Sequence, residues 1–455
     1  MKTKTAAVAG TFYPSDQQQL SSLVQQQLSA NPCPGPKPRA LLVPHAGLVY
    51  SGSIAALAYN RVAPYLDCYR RIILLGPSHR IGFDFLAVLD AQCWRTPLGD
   101  IDLDTQYTDN LVSNSAVRYF NSAHQHEHCL EVQLPFLQMI ATADINIVPI
   151  VVGSAAAKDV QQVIAQLLAD EDNLIIISSD LSHFQPYQQA IETDANTRAI
   201  IDNLEPQISS AQACGCHPLN GFLANAVKLQ LDSEFLGYCN SGDSGADKQA
   251  VVGYAAFAFQ ETFSKVQKQQ MLHFARQSII SGLETDSAAT EILQDDYLQQ
   301  LQACFVSLHI NNTDAENCVA QLRGCIGNLQ ARDSLAQCIN RNAFLAAFKD
   351  PRFAPLSRDE LEKIVLEISV LTEPKPLAVA SEQHLLELLR PGVDGLIIRH
   401  QEQQATFLPC VWKQLPEPAL FVSQLKAKAG LSPEFWSTDM QCFIYTAINF
   451  SESQS

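Results

Sequence analysis

The chain is short of positive charge. Its 455 residues carry 30 Lys and Arg against 47 Asp and Glu, a formal net charge of -17. A broad basic field that would hold nucleic acid or an anionic membrane is therefore excluded. Long apolar runs are missing too, for none reaches the roughly 18–20 residues that cross a bilayer. The opening MKTKTAAVAGTFYP has two lysines and only a short apolar patch, which argues against a secretory leader. There is no repeat of fixed period, and glutamine is scattered rather than gathered into a low-complexity tract. Apolar residues make up 47% and charged residues 17%. That composition suits ordinary cores and not a disordered chain. What the chain does have is 13 cysteines, a high and odd number. Without an export signal they read as reduced thiols of a cytoplasmic protein, most of them small core residues.

The length suggests two to four domains. Residues 39–259 alternate short apolar stretches with helical ones. Strands are expected at 39–43, 71–76, 84–89, 145–152, 174–178, 234–238 and 250–259. Helices are expected at 16–29, 53–64, 104–114, 129–141, 157–169, 188–203 and 218–229. This order predicts an α/β sheet with substantial parallel character. Near 260–270 the text turns polar and glutamine-rich (QETFSKVQKQQ). We place a boundary there, with a first domain at 1–262 and a second at 265–455. The second reads as α+β, with helices at 268–283, 287–303, 334–348, 382–390 and 418–429. Its strands are CFVSLHI, IVLEISVLTE and DGLIIRH, the last preceded by the turn chemistry of RPGVDG.

Three apolar runs of the first domain end in chemistry. RALLVPHAG places His45 just past a strand, RIILLGPSH places His79 there, and LIIISSDLSHF places Asp180 and His183. Ligands of open α/β sheets bind outside the carboxyl ends of the strands. If these strands are parallel neighbours, the four side chains share one sheet edge. NSGDSGAD adds Asp243 and Asp247 beyond another strand end, if that strand runs the same way. Two imidazoles and a carboxylate suit non-heme Fe(II). They also suit zinc with an activated water. A thiolate from Cys239 would favour softer metals. Asp180 can instead cap the next turn, and His183 can support a ligand from behind.

Other clusters are open to two readings each. In HQHEHCLEVQLPF, His128 and Glu131 lie three apart and would share a helix face. His128 is a site candidate and Glu131 a second. Glu127 reads as an acid favoured near a helix start, and His124 and His126 as solvated loop residues. CGCHP offers Cys214, Cys216 and His217 as a metal clip, or a tight turn with Pro218 opening a helix. LRGCIGNL sets Cys325 between Gly324 and Gly327, beside Arg323. Glycines permit positive φ and close approach. A cysteine beside an arginine can be an activated nucleophile, or a small residue in a tight strand–turn. Asp350 and Arg352 of KDPRF read as a salt bridge or turn.

Taken together, AVAGTFYP, PHAGLVYSG, GPSH, WRTPLGD, EHCLEVQLPF and SSDLSHF occur in the order of the Memo family, which nearly all of residues 5–260 resemble. The second half is similar to the AMMECR1 family through LRGCIGNL, AAFKDPRFAPLSRDEL, LEISVLTEPKPL, DGLII and TFLPCVW. The whole resembles a Memo–AMMECR1 fusion of the AmmeMemoRadiSam system, whose third member is a radical-SAM enzyme. The resemblance implies a first domain similar to class III extradiol dioxygenases of the LigB type. It implies metal ligands at His45 and His79, with Asp180 and His183 lining the pocket. In animal members a cysteine near the domain's end completes the site. Here YCNSGDSG puts that position near Asp243 or Ser244 rather than Cys239, which favours a carboxylate.

The expected metal set is thus His45, His79 and Asp243, with Fe(II) as the metal and copper or zinc as alternatives. His183, Asp180 and His128 are expected to do proton chemistry there, and Cys325 to react in the second half. The first functional expectation is a metal-dependent redox enzyme acting on a small-molecule or peptide substrate, with a radical-SAM enzyme as partner. The others are a metal- or peptide-binding scaffold without turnover, and a zinc hydrolase with Asp180 as base. The AMMECR1 half would supply a linked step or bind substrate, since fusion raises its effective concentration.

Overall fold

The apolar runs that end in His45, His79 and Asp180 become neighbouring strands. The computed structural model describes residues 2–113, 116–289, 293–311 and 320–452. The chain divides into two compact units, Met1–Glu261 and Thr262–Ser455.

The first unit has twelve strands among its described residues, joined in one sheet. They are β1 (Thr3–Thr5), β2 (Ala40–Val43), β3 (Arg71–Pro77), β4 (Leu86–Val88), β5 (Cys93–Thr96), β6 (Gly99–Leu103), β7 (Val117–Tyr119), β8 (Asn146–Val152), β9 (Asn173–Ser178), β10 (His183–Gln185), β11 (Leu231–Asn240) and β12 (Val251–Glu261). The main order is β1-β5-β6-β8-β3-β9-β2-β12-β10. β8, β3, β9 and β2 are mutually parallel neighbours. β12 runs antiparallel to β2, and β11 antiparallel to β12.

The central strands are apolar throughout because helices cover both faces. Leu41, Ile72, Leu74, Leu174 and Ile176 join one core with helices Gln17–Ala30, Leu48–Val62 and Leu134–Ile140. Leu42, Ile73, Leu75, Ile175 and Ile177 join the other with Ala157–Ala169 and Cys216–Lys228. Each such fully buried side chain contributes about 1.5–3 kcal/mol. The result is an α/β unit of three layers.

Some boundaries differ from the sequence reading. The helix expected at 53–64 begins at Leu48, directly after Gly47. The run at 129–141 splits into a 3-10 turn, Glu131–Gln133, and a helix Leu134–Ile140 with Pro135 in its first turn. The hairpin β5–β6 was not expected. It closes through Gly99 at φ 126°.

The second unit is rich in antiparallel strands. β13 (Cys304–Asn311), β14 (Ala320–Gly327), β15 (Ile364–Leu371) and β20 (Ala447–Ser451) form one sheet in the order β14-β13-β15-β20. β16 (Lys375–Leu377), β17 (Gly395–His400), β18 (Gln403–Phe407) and β19 (Gln441–Tyr445) form another, ordered β16-β19-β17-β18. Helices Lys265–Thr285 and Leu335–Phe348 pack on one face of the first sheet. The helix expected at 287–303 is not found among the described residues, from which 290–292 are excluded. Asp286 ends the preceding helix in the left-handed region at φ 57°, and only a 3-10 turn, Asp296–Leu298, follows. No described helix is long and apolar enough to cross a membrane.

Candidate metal centre

β2, β9 and β3 lie side by side and run the same way. Chain leaving their carboxyl ends therefore emerges at one edge. His45, Asp180 and His79 each stand two residues past the end of β2, β9 and β3. His183 opens β10 just beyond. His128 arrives by another route, in the turn after the short helix Asn121–Gln125. That turn is tied to the sheet ends: Cys129 Sγ donates to Pro77 O (3.2 Å) and Ser178 Oγ donates to Cys129 O (2.7 Å).

The three imidazoles of His45, His79 and His128 converge. Their ring centroids are 5.1, 5.2 and 4.7 Å apart, and one ligand atom from each lies within 4.8 Å of the others. His45 forms the buried floor. The side chains of His128 and His79 are 14% and 27% exposed, so the set opens toward solvent on the His79 side.

Hydrogen bonds fix which nitrogen His45 and His79 offer. Tyr59 OH donates to Gln133 Oε1 (2.7 Å), which makes the other end of that amide the donor. Gln133 Nε2 donates to Pro44 O (3.0 Å) and to Ser178 Oγ (2.9 Å). The Ser178 proton is already committed to Cys129 O. His45 Nδ1, 2.9 Å from Ser178 Oγ, must therefore donate, leaving the lone pair on Nε2. Burial holds His45 well below the ordinary histidine range, with His79 and His128 adding to it, so the ring is neutral.

Glu127 does the same for His79. Its Oε1 accepts from His79 Nδ1 (2.8 Å), and a carboxylate can only accept. It also accepts the backbone N–H groups of His79 (2.7 Å), His128 (3.0 Å) and Cys129 (3.2 Å). Burial alone would raise the Glu127 carboxyl, but the close rings of His128 and His79 and the N–H donors around it outweigh it and hold it well below the usual range. His128 Nδ1 is buried 3.2 Å from Glu127 Oε1, without hydrogen-bond alignment. Metal-binding histidines must be neutral, and an acceptor on the far nitrogen fixes their tautomer. This donor set therefore fits a divalent metal.

His79, Glu127 and Cys129 also lie within ligand distance of one another. The Glu127 oxygens are already filled by N–H donors, however, and burial pushes the Cys129 thiol well up. That group supports the imidazoles from behind.

Asp180 and His183 stand beside them. Asp180 Oδ1 accepts from His45 N (2.7 Å), and Oδ2 lies 3.9 Å from His45 Nε2. Burial pushes the Asp180 carboxyl up, opposed by the His45 N–H and by the nearby rings of His183, His128 and His79. His183 Nδ1 donates to Leu181 O (2.8 Å), which leaves its Nε2 as an acceptor.

Cys214 forms part of the wall, with Sγ 3.4 Å from His45 Nε2. Burial and Asp180 push its thiol up to about 12. The CGCHP segment is thus not a clip, for Cys216 is buried in the helix start and His217 is exposed.

Asp243 does not join the imidazoles. Its edge is the right one, since β11 runs parallel in direction to β2, but both oxygens are engaged. Oδ2 accepts from Asn240 N (2.9 Å) and Oδ1 from Tyr187 OH (2.6 Å), closing the 3-10 turn Ser241–Ser244. Burial pushes the Cys239 thiol up to about 12. Glu131 is structural: it accepts from Ala7 N, Val8 N and Tyr13 OH and fastens the N-terminal segment. His124 is buried rather than solvated, with Nε2 3.0 Å from Ala87 O. Cys325 lies in β14 of the second unit.

Comparison with known proteins follows the same division. Residues 4–258 match the family model described as Memo-like protein, and residues 272–450 match AMMECR1. A MEMO1 family protein of Aquifex aeolicus is 34% identical over 270 residues, 57% of this chain and 100% of the relative. One from Methanosarcina barkeri is 37% identical over 263 residues, 55% of this chain and 97% of the relative. The crystal structure of an uncharacterized protein from Pyrococcus horikoshii covers 41% of this chain and 91% of its own, at 28% identity and a TM-score of 0.37. The chain belongs to the Memo family, with an AMMECR1 unit fused behind it.

Proposed function

We propose that the first unit is a metal-dependent redox enzyme whose His45, His79 and His128 hold Fe(II) beside Asp180 and His183. One observation carries this reading: three converging imidazoles, two of them holding Nδ1–H on a protein acceptor with Nε2 turned out. The likeness to extradiol dioxygenases implied by the sequence motifs favours iron. Bound iron would supply electron transfer to O₂ or to a coordinated substrate. His183 Nε2 is the group to take and return a proton. Asp180 braces His45 through its backbone and stands ready to share that proton.

Phe12 packs on His128 at 4.6 Å between ring centroids, and Phe184, beside His183, is 76% exposed. Both give the site an apolar approach that suits a small molecule or a peptide side chain. The AMMECR1 unit would carry out a linked step or hold substrate, within a cytoplasmic AmmeMemoRadiSam system that includes a radical-SAM enzyme.

A zinc hydrolase is the second reading, because three histidines also hold catalytic zinc and its water. Metal analysis of anaerobically purified protein separates them. About one iron per chain, lost in His45→Ala/His79→Ala and oxidised by O₂, supports the redox enzyme. Zinc with no response to O₂ selects the hydrolase. Little metal even after reconstitution overturns both.

A further inference from the structure

The second unit carries a row of reactive side chains that the metal centre does not use. Val306 and Leu308 of β13 and Leu366 and Ile368 of β15 enter the helical core. Strand alternation therefore turns Ser307, His309 and Glu367 to the opposite face. Register sets Cys325 of β14 opposite Ser307, and Ser307 opposite Glu367. The three form one row across three strands.

The backbone at Cys325 is clamped from outside the sheet. Its N–H donates to Asp350 Oδ2 (2.9 Å), and its carbonyl accepts from Arg352 Nη2 (3.1 Å). Asp350 and Arg352, themselves paired at 2.7 Å, replace a neighbouring strand at this edge. With its polar groups turned outward, Cys325 forms the antiparallel pair type that brings its side chain closest to Ser307. A bulge follows, with Arg323 as the extra residue between Leu322 and Gly324. Bulges re-aim side chains at sheet edges and beside active sites. His309 Nε2 stands 3.7 Å from Glu367 Oε2.

The neighbouring glycines serve packing. A Cβ on Gly324 would sit 2.2 Å from Ala346 O, and one on Gly327 would sit 2.2 Å from the Phe305 ring. Burial pushes the Cys410 thiol up, and Glu367 and Cys325 add to this while Lys413 opposes it. Cys410, in the turn Pro409–Lys413, thus stands near both Glu367 and Cys325. Cys325 remains half-buried and reachable, whereas Cys304 and Cys338 are buried.

We propose that this row is a second reactive site, in which Cys325 takes an acyl group from an activated ester or thioester while His309 and Glu367 handle its proton. A thiol, an imidazole and a carboxylate on one sheet face suit nucleophilic acyl transfer, and no oxidant is needed. The Cys325 sulfur bonds to the acyl carbon, and the C–O or C–S bond to the leaving group breaks. The thiol proton passes to the His309–Glu367 pair and from there to the leaving group. Asp350 and Arg352 at the strand edge, with Cys410 and Lys413 nearby, complete the charged and titratable surroundings.

The test is acetylation of the full chain by p-nitrophenyl acetate near pH 7, read cysteine by cysteine by peptide mass spectrometry. Cys325 is expected to be acetylated at least about tenfold faster than the exposed Cys68. Glu367→Gln should lower that rate about tenfold and move the midpoint of its pH profile. Equal rates at Cys325 and Cys68 in the unaltered protein would overturn the proposal. So would a folded Glu367→Gln variant with unchanged rate and profile.

Discussion

In the first unit the reactive side chains stand past the ends of parallel strands. In the second they stand on the face of an antiparallel sheet. The difference shows in what holds them. At the candidate metal centre, buried acceptors grip the rings themselves: Ser178 holds His45 and Glu127 holds His79. Around Cys325 the grip is mainly on the peptide, through Asp350 and Arg352, and the Arg352 guanidinium also faces the thiol. The first arrangement suits ligands that must not move. The second suits a nucleophile that must reach a substrate. Substitutions that cut each grip should therefore fail in different ways.

The largest effect is expected at Glu127. Glu127→Ala removes the acceptor of one imidazole and three backbone N–H groups in a buried place. Stability should fall by about 3 kcal/mol, and metal affinity by about 10–100-fold. Denaturant midpoints and competition with a chelator measure the two. Unchanged affinity would mean that the rings are placed by packing alone. Ser178→Ala is the milder version. It strands His45 Nδ1–H and one Gln133 N–H, at about 1–3 kcal/mol and about tenfold in metal affinity. Acetylation of Cys325 should be untouched by either change.

Much of this frame is readable in the chain. Leu41 to Val43, Ile72 to Leu75 and Leu174 to Ile177 announce strands buried on both faces. His45, His79 and Asp180 follow at the point where a parallel sheet collects ligands. Ser178 and Gln133 are not readable, because their roles exist only once Tyr59 orients the amide across two elements. Glu127 reads as a helix-end acid since its partners depend on Cys129 being tied to β3 and β9. Asp243 misleads for a related reason. A short acidic side chain after a strand serves a turn as readily as a metal, and here Asn240 and Tyr187 claim it. At 287–303 the apolar spacing mimics a helix, but Asp286 has already turned the chain.

The peptide clamp should yield less than the ring grips. Asp350→Ala leaves the Cys325 N–H and the Arg352 guanidinium without their acceptor, and should lower the stability of the second unit by about 1–2 kcal/mol. The Arg352 guanidinium holds the Asp350 carboxyl well below the usual range, against some desolvation. Its contribution is thus complete above the ordinary carboxylate range and fades only in strong acid. Between pH 7 and pH 5 the deficit of Asp350→Ala should stay constant. A deficit that shrinks over that interval would show that the carboxylate is not held as described.

The smallest expected effect lies at the bulge, where Arg323 Nε donates to Glu360 Oε1 at 2.7 Å. The Arg323 guanidinium lowers the Glu360 carboxyl from 4.5 to about 2, with desolvation opposing. A carboxyl lowered on folding stabilises above its unfolded pKa and loses that contribution as pH falls through its folded value. The pair should therefore act fully above about pH 4.5 and be gone near pH 2. Glu360 is 27% exposed at its side chain, so solvent screening limits the pair to under about 1 kcal/mol. Thermal midpoints of the unaltered protein and Glu360→Gln should differ by a few degrees at pH 6 and converge toward pH 2. A constant gap across that range would assign the stabilisation to the Ser357 hydrogen bonds of Glu360 rather than to its charge.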